Sequence, residues 1–271
     1  MLFTNGISTI FGKFAETKFP KPIQTFINTI YVKGLGLDMS EFFKPSKYET
    51  LNQLFTRELQ QKRHFATDPK KIIAPSDSQI TAFGEINRGK AYQIKGMDYS
   101  LEKLFGKHVT EDELGKLEGG EYVNMYLSPK DYHHYHMPID GKILKATHFV
   151  GKLFPVNVPY LRKKVDLFIE NERVILQVEL ENEKKIYIVL VGALNVGKMI
   201  LNFEPNLNTN VETNYTQTFD YGEGKKIAKG SDLGYFKMGS TVLIFAEKGL
   251  LKSDVSLNQK VKFGTTIAEL L

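Results

Sequence analysis

The stretch Tyr235-Phe236-Lys237-Met238-Gly239-Ser240-Thr241-Val242-Leu243-Ile244-Phe245 resembles a β-strand with one small break, the tripeptide Gly239-Ser240-Thr241. Glycine allows backbone angles and close approaches that other residues resist, and the Ser240 hydroxyl lies within reach of the preceding peptide carbonyl. A serine placed in this way can cut its own chain. The same tripeptide is common in turns and bulges, so the other segments must decide between the two interpretations.

Beyond Pro69 the chain consists of short β-like runs separated by Gly, Pro, Asn and Asp. Short strands between turn signals favour an all-β barrel or sandwich over repeated βαβ units. The predicted fold is therefore α+β, with a predominantly antiparallel barrel or sandwich core. The predicted strands are Lys71–Ala74, Gln79–Ile86, Tyr122–Leu127, Val174–Leu180, Lys185–Val191 and Thr241–Phe245.

Helical patterns dominate the first 65 residues and recur briefly inside the β-rich part. Ser100–Phe105 and Thr110–Leu117 are predicted as small helices, and the second begins with Thr110 and Glu113 at the spacing of a capping box. We therefore expect an N-terminal helical region over residues 1–65 and a β-rich domain over residues 66–271.

The composition is that of an ordinary globular protein, with 42% hydrophobic and 25% charged residues in 271. The absence of cysteine excludes a disulfide framework, a thiol nucleophile and a Cys-ligated metal. The N-terminus lacks the layout of a signal peptide, and no apolar run reaches the ~20 residues of a transmembrane helix. We therefore expect no membrane-spanning segment.

The N-terminal segment is basic and amphipathic. Between Met1 and Leu37, four lysines (Lys13, Lys18, Lys21 and Lys33) stand against Glu16 alone. Apolar residues recur there at helical spacing, a pattern typical of helices that lie in a bilayer interface. The alternative is that these apolar faces pack against the protein's own core.

The densest cluster of titratable side chains is the run Leu127-Ser128-Pro129-Lys130-Asp131-Tyr132-His133-His134-Tyr135-His136-Met137-Pro138. An extended chain would place His134 and His136 on one side and His133 on the other, whereas a turn would bring His133 and His136 together. No His-Glu-x-x-His motif accompanies the cluster, so acid–base chemistry is favoured over metal binding. A chance cluster at the surface is the remaining alternative.

Asp77 lies in the turn-like segment Ala74-Pro75-Ser76-Asp77-Ser78, just before a predicted strand. Aspartates in turns usually cap their own backbone. If Asp77 reaches the histidine cluster instead, it can orient an imidazole and complete an acid–base–nucleophile relay with Ser240.

One motif points elsewhere but is incomplete. Gly192-Ala193-Leu194-Asn195-Val196-Gly197-Lys198 follows an apolar strand and matches the first seven positions of a P-loop. Met199 replaces the required Ser or Thr, and the residues after it do not resemble the helix that would hold the phosphates. Nucleotide hydrolysis is therefore not predicted.

Taken in order, these segments resemble the phosphatidylserine decarboxylases, the bacterial, pyruvoyl-dependent enzymes of phospholipid synthesis. The matching segments run from Phe55 to Thr241, about seven tenths of the chain. They are Phe55-Thr56-Arg57-Glu58-Leu59, Pro75-Ser76-Asp77, Leu127-Ser128-Pro129-Lys130-Asp131-Tyr132-His133, His136-Met137-Pro138, Val156-Asn157, Asn171-Glu172-Arg173-Val174, Val191-Gly192-Ala193, Val196-Gly197 and Leu233-Gly234-Tyr235-Phe236-Lys237-Met238-Gly239-Ser240-Thr241.

The resemblance implies that the Gly239–Ser240 bond is cut and that Ser240 becomes a covalent pyruvoyl (pyruvate) cofactor, which forms a Schiff base with the substrate. It implies that Asp77 and His136 activate Ser240 as a charge relay, and that His133 handles the substrate or its proton. No metal is implied. Three positions depart from the usual family pattern, which has Gly at Ser78, Leu at Met238 and Arg at His134.

The resemblance also implies partners and a location. The lipid substrate is phosphatidylserine in an anionic membrane surface, at the cytoplasmic face of the cell membrane, where the protein would be peripheral. The products of cleavage, residues 1–239 and 240–271, are expected to stay together as a heterodimer that can itself dimerise. No nucleic acid is expected.

Two other classes of protein fit the residues alone. A Ser-His-Asp hydrolase would use the same side chains against an external ester and keep its chain intact. A noncatalytic β module related to lipoyl-type barrels would bind a partner and tolerate the loss of Ser240. The order of the motifs favours the decarboxylase.

Overall fold

Strand β13, Ser240–Ala246, lies inside the central sheet, and all seven of its residues are buried. The computed structural model describes residues 12–194, 198–210, 215–237 and 240–271. The other strands in these ranges are β1 (Lys71–Ile73), β2 (Ser78–Glu85), β3 (Lys90–Ile94), β4 (Met97–Ser100), β5 (Glu121–Leu127), β6 (His134–His136), β7 (Gly141–Phe149), β8 (Arg173–Glu179), β9 (Lys185–Gly192), β10 (Met199–Leu201), β11 (Gln217–Ile227), β12 (Asp232–Phe236), β14 (Leu251–Ser253), β15 (Lys260–Val261) and β16 (Thr266–Leu270).

The central sheet has eight strands in the order β11-β7-β8-β9-β13-β5-β2-β15, and every neighbouring pair is antiparallel. β13 pairs with β9 on one side and with β5 on the other. Both faces of β13 are covered, which explains why its sequence is a continuous apolar run rather than an alternating one. The predicted α+β, antiparallel architecture is confirmed.

Further layers cover the two faces of the central sheet. On one face, the three-stranded sheets β1-β16-β14 and β10-β12-β6 enclose the larger apolar cluster, which includes Val242 and Ile244 of β13. On the other face, Leu243 and Phe245 pack against the β3–β4 hairpin and several short helices. The arrangement is a sandwich, and the eight-stranded order does not close into a barrel within the described ranges.

The helices are short apart from the first. They are α1 (Lys21–Leu35), α2 (Leu51–Phe55), α3 (Leu101–Phe105), α4 (Glu111–Leu117), α5 (Val158–Leu161) and α6 (Leu167–Glu170), with 3-10 turns at Pro45–Lys47 and Gly106–His108. The two predicted small helices are confirmed as α3 and α4. Thr110 and Glu113 form the predicted capping box at the start of α4.

Helix α1 carries apolar residues on both sides, since Ile27, Tyr31 and Val32 pack against the apolar cluster around Leu51 and Leu54. Its buried residues are Gln24 and Asn28, and Asn28 donates to the carbonyl oxygens that flank the turn at Pro45–Lys47. Ile23, Phe26 and Ile30 are 50%, 66% and 54% exposed. This apolar face, spaced i, i+3, i+7, is therefore presented away from the protein.

Candidate functional site

Ser240 is the first residue of β13 and is completely buried. In the sheet it lies opposite Leu127 of β5 and Gly192 of β9. Within the described part of the chain its hydroxyl has no hydrogen-bond partner. A buried hydroxyl without a partner costs about 1–3 kcal/mol, so this one calls for an explanation. Gly239, the other side of the predicted cleavage bond, lies outside the described residues.

His133 is fully buried, and its ring packs on Phe55 with centroids 4.1 Å apart. Its Nδ1–H donates to the carbonyl oxygen of Asp131 at 2.9 Å, which leaves the lone pair on Nε2. Nε2 is buried and has no partner among the described residues. Burial lowers the His133 pKa to about 3, so the ring is neutral at physiological pH.

His136 has a different environment, because both of its nitrogens are occupied. Nδ1–H donates to the Gly230 carbonyl oxygen, and Nε2 accepts from the Tyr132 hydroxyl, each at 3.1 Å. Its ring stacks on Phe263 at a centroid distance of 3.7 Å. Burial lowers the His136 pKa to about 4. His136 is therefore a neutral, well-held imidazole.

Asp77 binds a neighbouring arginine. Its two carboxylate oxygens accept from Arg63, which also pairs with both oxygens of Glu41. Asp77 accepts a further bond from the backbone N–H of Phe263 at 2.8 Å, and the ring of that residue stacks on His136. Asp77 and His136 are therefore connected through Phe263, which contacts the first with its backbone and the second with its ring. The two side chains do not form a hydrogen bond with each other. Ser78 does not disturb this turn, because it begins β2 and pairs with Val261.

The extended alternative for the histidine run is the one observed. His134 and His136 both stack with Tyr132, at 5.0 and 5.8 Å. His134 lies between that ring and Tyr235, with Nδ1 2.9 Å from an Asp232 carboxylate oxygen and Nε2 3.2 Å from the Thr56 carbonyl oxygen. His133 belongs to a separate environment around Phe55 and Asp131.

Four contacts of the site were not predicted from the sequence. Arg63 binds Asp77, and Tyr132 binds His136. Phe263 lies between Asp77 and His136, and Asp232 binds His134. The only sequence signal for any of them was the position of Tyr132 beside the histidines. The contacts of Phe263 and Asp232 with the histidines join segments far apart in the chain, and Arg63 lies 14 residues before Asp77.

The P-loop-like heptad does not precede a helix. Its residues 195–197 lie outside the described ranges, and the chain continues from Met199 as strand β10. A phosphate-binding helix N-terminus is therefore missing at that point of the described chain. Among residues 12–194, 198–210, 215–237 and 240–271, no group of three or more His, Asp and Glu side chains has a geometry suited to a metal ion.

The chain thus combines an α+β sandwich with a buried serine on its central strand and two buried, neutral imidazoles, those of His133 and His136. Residues 51–269 match the family described as phosphatidylserine decarboxylase. The chain belongs to this family.

Several curated relatives carry the name phosphatidylserine decarboxylase proenzyme. The protein of Helicobacter pylori (strain ATCC 700392 / 26695) is 45% identical over 98% of this chain and 97% of its own length. The protein of Campylobacter jejuni is 44% identical over 99% of this chain and 100% of its own. The protein of Brevibacillus brevis is 34% identical over 92% and 87%. The similarity therefore covers the helical region as well as the sandwich.

Proposed function

We propose that this chain decarboxylates phosphatidylserine to phosphatidylethanolamine, after cutting itself between Gly239 and Ser240. The observation that carries the proposal is the Ser240 hydroxyl, buried on the central strand of a protein of this family with no hydrogen-bond partner among the described residues. A hydrolase acting on external esters would need an accessible nucleophile, and Ser240 is 0% exposed. A neighbouring peptide bond needs no such access.

The cleavage begins when the Ser240 hydroxyl attacks the Gly239 carbonyl and the peptide becomes an ester. Elimination then releases the Gly239 carboxylate and leaves a dehydroalanine at residue 240. Its imine form reacts with one water, releasing ammonia and leaving a pyruvoyl group on the new N-terminus. The products are residues 1–239 and 240–271. β13 keeps its hydrogen bonds to β5 and β9, and β15 and β16 pair with β2 and β1, so the fragments stay together.

In this proposal His136 takes the proton of Ser240 and Asp77 supports it. Because Nδ1 of His136 faces a carbonyl oxygen, the neutral ring carries its lone pair on Nε2, the nitrogen that would act as the base. Nε2 would have to exchange the Tyr132 hydroxyl for that of Ser240. Asp77 would act through Phe263, whose backbone it holds and whose ring fixes the imidazole.

The surroundings of Ser240 suit a pyruvoyl group, because the residue is buried away from solvent and its oxygen has no hydrogen-bond partner among the described residues. The pyruvoyl group supplies a carbonyl that condenses with the serine amine of the lipid and accepts the electrons left by CO₂. His133 would then return a proton to the substrate carbon. Its Nε2 carries the lone pair and has no partner among the described residues, so it is the nitrogen of His133 through which a proton can pass.

We further propose that α1 docks on the surface of an anionic membrane. Ile23, Phe26 and Ile30 form its outward apolar face, and Lys21 and Lys33 are exposed at its two ends. Each lysine near an anionic surface adds about 1 kcal/mol to binding. No helix in the described ranges is long and apolar enough to cross a membrane.

The test is sedimentation with phosphatidylserine vesicles: Phe26→Ser should stay in the supernatant, and unchanged sedimentation would contradict the docking.

The experiment that tests the function combines a denaturing gel with CO₂ release from phosphatidylserine. We expect two fragments and CO₂ from the native protein, and neither from Ser240→Ala. Ser256→Ala is the matched control, since Ser256 is exposed on the same fragment and should change nothing. An uncut native chain that releases no CO₂ would overturn the proposal.

A further inference from the structure

A cavity of about 660 Å³ lies beside the histidine run, and the activity proposed above assigns no ligand to it. Its walls come from the loop after α1, the β2–β15 edge of the central sheet and the loop that follows β5. They include Gly36, Tyr126, Asp131 and Lys260. Arg57, which follows α2, also lines the cavity.

The feature that points to a ligand is Arg57. It is only 2% exposed, and Nη2 donates to the carbonyl oxygens of Lys130 and Asp131 at 2.7 and 3.2 Å. Its other two nitrogens, Nε and Nη1, are buried without a hydrogen-bond partner among the described residues. The guanidinium carbon stands 4.5 Å from the centroid of the Phe42 ring. A buried cation with unused donors is costly unless an anion completes it.

A second buried arginine shows what a purely structural one looks like in this protein. Arg173 is 5% exposed, and all three of its guanidinium nitrogens donate to backbone carbonyl oxygens. These include the carbonyls of Leu104 and Ile169. Arg57 is equally buried, but only one of its three guanidinium nitrogens has a hydrogen-bond partner in the described part of the chain. The difference indicates that Arg57 is reserved for a group that the protein itself does not supply.

The cavity wall carries four cationic side chains and four carboxylates, namely Arg57, Lys130, Lys260 and Lys262, and Asp38, Glu41, Asp77 and Asp131. Lys130 and Lys260 are exposed residues of the cavity wall, and neither has an ion-pair partner in the described part of the chain. Glu41, also on the wall, is already paired with Arg63 and Lys262. Among the described residues, Arg57, Lys130 and Lys260 form no direct ion pair, and the wall carboxylates of Asp38 and Asp131 bind only Ser40 and Ser128.

The cavity adjoins the proposed reaction centre in three ways. The Asp131 carbonyl oxygen accepts from both Arg57 and His133. Phe55, two residues before Arg57, packs on the His133 ring. Asp77, the proposed support of His136, lies on the cavity wall. Gly36, on the cavity wall, also caps the C-terminus of α1.

We propose that this cavity binds the phospholipid head group and that Arg57 binds its phosphate, with Lys130 and Lys260 assisting at the rim. The proposal rests on the proposed function and names a recognition residue for it. The phosphate fits better than the carboxylate of the same head group. A cation beside the carboxylate would stabilise the substrate more than the transition state, in which the charge leaves that group.

The test compares two soluble substrates in Arg57→Lys and Arg57→Gln. The first is a short-chain phosphatidylserine; the second is O-octyl-serine, which keeps the amine and carboxylate but has no phosphate. We expect the KM for the lipid to rise about tenfold to a hundredfold with little change in kcat, because a charged hydrogen bond to the phosphate is lost. The reaction of O-octyl-serine should be unchanged. Self-cleavage, read on a gel, should be normal.

Each other outcome identifies a different error. Equal losses of activity on both substrates would mean that Arg57 contacts the carboxylate or is structural. An unchanged KM for the lipid would mean that Arg57 does not contact the substrate. Each of these results overturns the proposal. Arg173→Lys is the control for losing a buried guanidinium and should lower thermal stability without separating the substrates. A native enzyme inactive on phosphatidylserine would instead refute the proposed function.

Two further measurements do not depend on the buried arginine. The surface double variant Lys130→Ala/Lys260→Ala should fold normally and raise the KM for the lipid several-fold, with no effect on O-octyl-serine. Inorganic phosphate should compete with the short-chain lipid in the native enzyme and lose this effect in Arg57→Lys. Phosphate that acts without competing would place it at a separate regulatory site and contradict the assignment to the head group.

Discussion

His133 and His136 lie three residues apart and differ in how many of their ring nitrogens are hydrogen-bonded. His133 uses one nitrogen to hold its position and leaves the other buried without a partner in the described structure. His136 has both nitrogens engaged and its ring stacked on Phe263. The difference comes from β6, which begins at His134 and places His136 on the side of Tyr132 and Phe263. One short segment thus supplies two imidazoles of different availability, as two successive reactions would require.

The largest expected effect is that of His136→Ala. Without the proposed base, Ser240 is not activated and self-cleavage should stop, so no decarboxylation follows. A time course of the gel and intact mass measures it. His108→Ala is the control, because His108 is also buried and neutral but binds Thr147 on the opposite side of the sheet. Cleavage at the native rate in His136→Ala would remove His136 from the relay.

Second in size is His133→Ala. We expect normal cleavage and a decarboxylation rate lowered by about 10²–10⁴, the usual contribution of a positioned acid or base. The readouts are the gel for cleavage and CO₂ release per cleaved molecule. If His133→Ala instead blocks cleavage, the free Nε2 serves Ser240, and the roles of the two histidines must be exchanged.

The third expected effect concerns acid stability. Burial lowers the His133 pKa from its ordinary value of 6.5 to about 3, so the unfolded chain binds a proton that the folded chain does not. Stability from this group is complete above pH 6.5 and is lost as the pH falls toward 3. The loss between pH 7 and 5 should be about 2 kcal/mol. Denaturant unfolding of Ser240→Ala with and without His133→Asn measures it, and identical pH slopes would contradict it.

The smallest expected effect is that of Tyr132→Phe. His136 must release the Tyr132 hydroxyl before Nε2 can take a proton, and such a bond contributes about 1 kcal/mol. Its removal should speed cleavage about fivefold and leave CO₂ release per cleaved molecule unchanged. Tyr135→Phe is the matched control, since the Tyr135 hydroxyl donates to the Ile200 carbonyl instead. Slower cleavage in Tyr132→Phe would make the hydroxyl part of the relay.

The sequence predicted the buried strands of the sheet and missed strands near its edge. β13 and β9 are covered on both faces, so residues 242–246 and 186–191 form continuous apolar runs that are easily recognised. β11, at the edge of the sheet, pairs with β7 alone, and its residues alternate between half-buried and exposed. Such a strand needs few apolar residues, and the run of Asp, Gly, Glu and Lys in β11 resembles a loop.

The candidate site divides in the same way. Ser240, Asp77 and the histidines were predicted because they lie in motifs whose order along the chain is characteristic. Arg63 was not predicted, because nothing in its own segment indicates that the fold brings it onto Asp77. The contact between Phe263 and His136 joins residues from distant parts of the chain. Contacts of this kind depend on the tertiary fold and leave no local pattern.

The central claim is that Ser240 is consumed to make the cofactor, and the most direct test is the intact mass of the purified protein. The account predicts two fragments, residues 1–239 and 240–271, with a pyruvoyl group in place of the amine at the N-terminus of the smaller one. Ser240→Ala should remain a single chain of 271 residues. A native chain that stays intact, or a smaller fragment that begins with an unmodified serine, would contradict the account.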